Sequence, residues 1–121
     1  MLCAIPPASA AERNCADLNT QLEINVCQAE RFDKADAALN AAYAKLAAKV
    51  SPQGKTQLVE AQRAWIKYRD AQCAFETLGT IGGSINPMEV AICRAELTKE
   101  QTKRLQRQID CVEGDLSCGG Q

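Results

Sequence analysis

The chain has 121 residues, 46% of them hydrophobic but only 4% aromatic, and its 14 basic and 15 acidic side chains leave a formal net charge of −1. A single domain of this size buries a core, an apolar fraction so poor in aromatics favours close-packed helices over a β-sandwich, and balanced charge gives no reason to expect general nucleic-acid binding. Seven cysteines with no histidine exclude Ser-His and Cys-His nucleophilic pairs and Cys2His2 zinc sites, and with no CxxC the cysteines read as disulfides formed in an oxidising compartment.

In chain order, residues 1–11, MLCAIPPASAA, contain Ala8-Ser9-Ala10 in the small-x-small form of a signal-peptidase site, with cleavage expected near Ala11. The stretch lacks a basic n-region and its apolar run is short. It reads as the remnant of a signal peptide, with an ordinary disordered N-terminus as the alternative, and residues 12–121 read as one domain. Removal at Ala11 discards Cys3 and leaves an even set of cysteines; Leu2 before Cys3 is not the small residue that a lipid anchor takes. No run approaches the roughly 18 apolar residues of a membrane span.

Cys15 to Asn19 reads as an irregular lead-in. Thr20-Gln21-Leu22-Glu23 is a capping box that starts the first helix. Phe32, Ala35 or Asp36, Leu39, Tyr43, Leu46 and Val50 mark its inward face, with a break or kink expected at Asp33 and Asp36. Ser51-Pro52 ends it, because a residue before proline resists helical angles.

The second helix is expected from Pro52 or Lys55 to Phe75. Its inward positions are Leu58, Ala61 or Gln62, Trp65, Tyr68 or Arg69, and Gln72 or Cys73, half of them polar. A buried guanidinium or amide needs a partner to offset desolvation. Counting heights across an antiparallel hairpin puts Asp36 level with Arg69 and Asn40 level with Gln62. Asp36, Asn40, Gln62, Trp65, Arg69 and Asp70 are therefore read as a structural polar network that fixes register.

Leu78 to Pro87, LGTIGGSINP, is loop chemistry throughout. A third helix is expected from Met88 or Glu89 to Asp110, with Val90, Cys93 or Arg94, Leu97, Leu105, Ile109 and Val112 inward. Lys99, Lys103, Arg104 and Arg107 read as a solvated face with intrahelical pairs such as Glu100 with Arg104. The tail, Cys111 to Gln121, is expected to be loose apart from any bridge. The fold class is all-α, a three-helix antiparallel bundle stapled by disulfides. Height counting gathers Cys27, Cys73 and Cys93 at one end, with Cys15 in reach. Six cysteines permit fifteen pairings. The most local set is Cys15–Cys27, Cys73–Cys93 and Cys111–Cys118; the alternative links Cys27 to Cys73 or Cys93.

Several ordered motifs now stand together: Cys15 and Cys27 around Thr20, Gln21 and Glu23; Ala35, Asp36, Leu39, Asn40 and Tyr43; Ala61 to Cys73, AQRAWIKYRDAQC; Gly82 to Ser84; and Cys93 with Leu97 and Thr98. This pattern resembles the LprI-like lysozyme-inhibitor family from Cys15 to about Leu105. The resemblance implies an exported, disulfide-bonded helical domain, periplasmic or secreted, and inhibition of lysozyme.

Inhibition is a binding task against a cleft that carries two catalytic carboxyls. The loop is the surface suited to it, with Thr80, Ile81, Gly82, Gly83, Ser84 and Asn86 as partner-binding residues: its glycines admit close backbone approach, Ser84 and Asn86 offer hydrogen bonds, and a Cys73–Cys93 bridge lowers the entropy lost on binding. Glu76 and Glu89 near the same end would steer a basic partner such as c-type lysozyme. The alternative is an envelope interaction module with another partner. Catalysis is not expected: Asp33 and Asp36 share a face without a cleft, and Ser9, Ser51, Ser84 and Ser117 have no histidine to activate them. No metal or cofactor is expected.

Overall fold

The structure, a computed structural model, describes residues 14–112 and 114–121, so the signal-like segment 1–11 lies outside the described residues. Three helices make the fold: α1 (Gln21–Lys49), α2 (Pro52–Glu76) and α3 (Asn86–Ile109), with short 3-10 turns at Cys15–Asp17, Leu78–Thr80 and Leu116–Cys118 and no strand among the described residues. The architecture is the expected three-helix bundle stapled by disulfides, with consecutive helices antiparallel.

Local chemistry sets most boundaries. Thr20 caps α1, its hydroxyl accepting from the Glu23 N–H at 3.1 Å and donating to the Glu23 carboxylate at 2.9 Å. The helix then runs unbroken for 29 residues through Asp33 and Asp36, where a break was expected. An interior Asp costs a helix only about 0.5 kcal/mol relative to Ala, which tertiary packing outweighs. Ser51 both separates α1 from α2 and caps α2, accepting from the Gly54 N–H at 3.0 Å, with Pro52 in the first turn. Helix α3 begins at Asn86, two residues before the expected Met88, because Pro87 falls where its missing N–H would have no helical partner anyway.

The three helices do not pack equally. Between α1 and α3 the buried residues are mostly small (Ala35 and Ala42 on one side, Ala91, Ala95 and Thr98 on the other), and these two helices make most of the close backbone approaches. Small side chains permit a short interaxial distance. They run parallel: Gln21 Nε2 lies 3.6 Å from Met88 Sδ at one end, and Lys49 donates to the Ile109 carbonyl at the other. Helix α2 stands further off, burying only Arg69 and Cys73. Its Leu58 and Trp65 pack half-buried on a core of Leu39, Ala42, Leu46 and Leu105. Of the alternatives on α2, Arg69 rather than Tyr68 turns inward. Val112, expected inward, is exposed because α3 has already ended.

Three disulfides join Cys15 to Cys27, Cys73 to Cys93 and Cys111 to Cys118. The first two are buried at the end of the bundle where α1 and α3 start. The third holds the tail, which is not loose as expected but folds back on the α1–α2 turn. There the Ser51 N–H and hydroxyl both donate to the Gly120 carbonyl, at 3.0 and 3.3 Å, and Gln108 Nε2 donates to the Ser117 carbonyl at 3.1 Å. Asp115 caps the last turn; hydrogen bonds from the Ser117 hydroxyl and then the Ser117 N–H hold its carboxyl below the ordinary range.

Gly54 makes this closure possible, since a Cβ there would lie 2.0 Å from the Gly120 carbonyl oxygen. Gly54→Ala adds about 1 kcal/mol of helix propensity yet forces the tail away, so global stability should change little. The Ser51 amide should lose its acceptor and exchange roughly an order of magnitude faster. Unchanged Ser51 exchange would mean that the tail contact protects nothing.

Candidate functional site

The tip of the bundle is built where α2 gives way to α3. Thr77 leaves helical geometry and is buried, its hydroxyl donating to the Cys73 carbonyl at 2.7 Å. The Thr80 hydroxyl donates to the Thr77 carbonyl at 3.0 Å and accepts from Asn86 Nδ2 at 3.1 Å. Asn86 Nδ2 also reaches the Thr77 carbonyl at 3.5 Å. The Gly83 N–H donates to the Thr80 carbonyl at 3.0 Å, and Asn25 Nδ2 ties the Ser84 carbonyl to α1 at 2.9 Å. Gly82 has φ +83°, a conformation that side chains rarely adopt. With the Cys73–Cys93 bridge at its base, the segment is a hydrogen-bonded tip rather than a slack linker.

This geometry divides the residues expected to contact a partner. Thr80 and Asn86 spend their polar groups inside the tip, and Asn86 is already helical, so the hydrogen bond that it was expected to offer a partner is engaged internally. Ile81, Gly82, Gly83 and Ser84 are exposed. What the sequence reading missed is how apolar this end is. Leu22, Val26, Phe75, Leu78, Ile81 and Ile85 all expose their side chains there, from 39% at Ile85 to 74% at Leu22. The signal was present in Leu78, Ile81 and Ile85, large apolar residues in a glycine-rich loop whose spacing assigns them to no core. Exposed apolar clusters of this kind mark interaction surfaces. Of the acidic groups at this end, Glu76 is exposed and accepts from Gln72 Nε2 at 3.0 Å, and Glu89 is half-buried.

Further down the bundle Arg69, 8% exposed, is the hub of the polar network. Its Nη1 lies 3.4 Å from Asp36 Oδ1 and its Nε donates to Asp70 Oδ1 at 2.9 Å. The guanidinium sits 5.1 Å from the Phe32 ring centroid and 5.3 Å from that of Trp65, within cation–π range. Arg94 Nε lies 3.4 Å from Asp70 Oδ1, close enough for an ion pair but too misaligned for a hydrogen bond. Phe32 and Arg94 were absent from the expected network, because only packing shows what surrounds a guanidinium. The expected Asn40–Gln62 pair does not form: Asn40 is exposed and Gln62 Oε1 is buried without a partner. One residue past the buried Leu39, Asn40 is turned roughly 100° away from the core, and α2 stands too far from α1 for the height match to close.

The expected Glu100–Arg104 pair is also missing; Lys103, Arg104 and Arg107 have no ion pair among the described residues. Among the described residues no cluster of three His, Cys, Asp or Glu side chains is placed to hold a metal, and no helix is long and apolar enough to cross a membrane.

The family model described as lysozyme inhibitor LprI matches residues 11–105, which span all three helices up to the last turn of α3. A protein of Rhizobium meliloti (strain 1021), described as uncharacterized, is 34% identical over 93% of this chain and 92% of its own length. No solved structure matches the chain.

Proposed function

Because this chain belongs to the LprI lysozyme-inhibitor family, we propose that it inhibits lysozyme by binding, and that the tip between α2 and α3 is the surface that meets the enzyme. The observation that carries this reading is a loop whose polar groups are satisfied internally while Leu78, Ile81 and Ile85 stand outside. A tip already ordered loses little entropy on docking, and exposed aliphatic groups at its apex supply the apolar contact that a cleft desolvates. Gly82 and Gly83 keep the apex narrow, and Ser84 leaves a hydroxyl for a polar cleft wall. Three disulfides and the family's target both support action outside the cytoplasm, in the periplasm or beyond it.

The test is a peptidoglycan-lysis assay with purified oxidised protein and a c-type lysozyme. Micromolar protein should slow lysis, and Ile81→Asp should weaken inhibition about 30-fold, the effect of losing one strong anchor, with the helical circular-dichroism signal unchanged. Failure to inhibit any lysozyme class by a folded protein would leave the second reading, an envelope interaction module whose apolar tip takes another partner.

A further inference from the structure

At the end of the bundle away from the tip, one bridge differs from the other two. Cys15, Cys27 and Cys73 are wholly buried and Cys93 is 8% exposed, whereas Cys111 and Cys118 are only half-buried. Thiol–disulfide exchange needs an attacking thiolate to reach a sulfur, so access sorts the three bridges. Cys111–Cys118 also lies outside the helical body: α3 ends at Ile109, and the bridge spans a separation of 7 residues against 12 and 20 for the others. Loop-closure entropy grows with loop length, so opening this bridge costs the fold least.

What the bridge does hold is the contact of the tail with the α1–α2 turn. The Gly120 carbonyl accepts from the Ser51 N–H and hydroxyl, Gln108 Nε2 donates to the Ser117 carbonyl, and Gln121 Nε2 donates to the Gln108 carbonyl. The side-chain bonds of this set are exposed, and water replaces such bonds at little cost. Beneath them, Gly120 and Gln121 close one side of a cavity of about 300 Å³ walled by Leu46, Val50, Leu58 and Leu105. We propose that the tail is a redox-released strap: a dithiol reductant opens Cys111–Cys118 selectively, the tail lifts from Ser51 and Gly54, and the apolar wall beneath is uncovered while the three helices and the two buried bridges stay intact. One reductant thiolate attacks a sulfur of the bridge, forming a mixed disulfide and releasing the other sulfur as a thiolate that takes a proton. The second thiol of the reductant then displaces the first. Cys111 and Cys118 are left as thiols and the reductant as a cyclic disulfide, two electrons and two protons having passed to the protein. The strap and the tip lie at opposite ends, so the inference is independent of lysozyme inhibition.

The full oxidised chain is treated with graded dithiothreitol, trapped with iodoacetamide and mapped by mass spectrometry. Cys111 and Cys118 should be alkylated before any other cysteine, with the helical circular-dichroism signal unchanged. Opening a loop with a separation of 7 residues favours the lifted tail about 50-fold on the chain-entropy estimate. That removes nearly all the protection the contact gives Ser51, whose amide exchange should rise about tenfold. Cys111→Ser with Cys118→Ser should give the same rise without reductant, and Gly54→Ala should add nothing to it, since each change removes the same contact. Earlier reduction of either buried bridge would overturn the proposal. So would Ser51 exchange within about twofold of the oxidised chain in the reduced protein or the serine variant, because hydrogen bonds alone would then hold the tail.

Discussion

Replacing Cys73 and Cys93 together by alanine is expected to lower stability by about 3 kcal/mol and to weaken any activity of the tip. The bridge closes a sequence separation of 20 residues, and constraining a loop of that length in the unfolded chain is worth about 3 kcal/mol on the chain-entropy estimate. The Cys15–Cys27 bridge, with a separation of 12, falls within about half a kcal/mol of it on the same estimate. What distinguishes Cys73–Cys93 is position: it joins the last turn of α2 to α3 directly beneath the tip, and Cys73 is wholly buried. Without it the hydrogen bonds among Thr77, Thr80 and Asn86 remain, but the two ends that they bridge are free to separate. Urea unfolding of the double variant gives the stability loss, and the lysis assay at a urea-free, fully helical condition gives the functional loss. A midpoint shift worth less than about 1 kcal/mol would show that the other contacts of α2 already hold the tip's base.

The second large effect is centred on one side chain. Arg69→Ala is expected to cost about 3 kcal/mol, whereas Asp36→Ala should cost less than about 1 kcal/mol. The asymmetry follows from exposure: the Arg69 side chain is 9% accessible, while Asp36 and Asp70 are 40% and 43% accessible. Removing Arg69 deletes its aliphatic stem from between the helices and its guanidinium from the Phe32 and Trp65 rings. Removing Asp36 leaves Asp70 still bonded to Arg69, so no charge is stranded, and a water-accessible ion pair is screened. The sequence expectation set Asp36 level with Arg69 in a register-fixing network; were the two a buried pair, removing one member would leave a buried charge unpaired, but Asp36 is 40% accessible. A urea-based double-mutant cycle on the two positions measures the coupling directly. Equal losses for the two single variants would restore the buried-pair reading.

Exposed partners and a buried hub are a matter of helix spacing, which the sequence does not encode in any one segment. Helix ends and caps are local: Thr20, Ser51 and Pro52 act on neighbours within a turn, so their positions were legible before any tertiary contact was known. The most local disulfide pairing was legible for the same reason, since loops of 7 to 20 residues close readily. The tip was legible as a glycine-rich connection, but its division into inward Thr80 and Asn86 and outward Ile81 and Ile85 depends on which carbonyls come within reach.

What the chain alone determined is the set of three helices, their order, their inward stripes, the covalent pairings favoured by proximity and the family to which the motifs belong. What only the tertiary structure decided is how far apart the helices stand. Alanines on α1 and α3, helices not adjacent in sequence, draw those two together and leave α2, with its Trp65 and Arg69, at a distance. Periodicity says which way a side chain faces, but interaxial distance depends on the combined volumes of two facing surfaces. That spacing leaves Gln62 without its expected partner and gives the tail a surface to close upon.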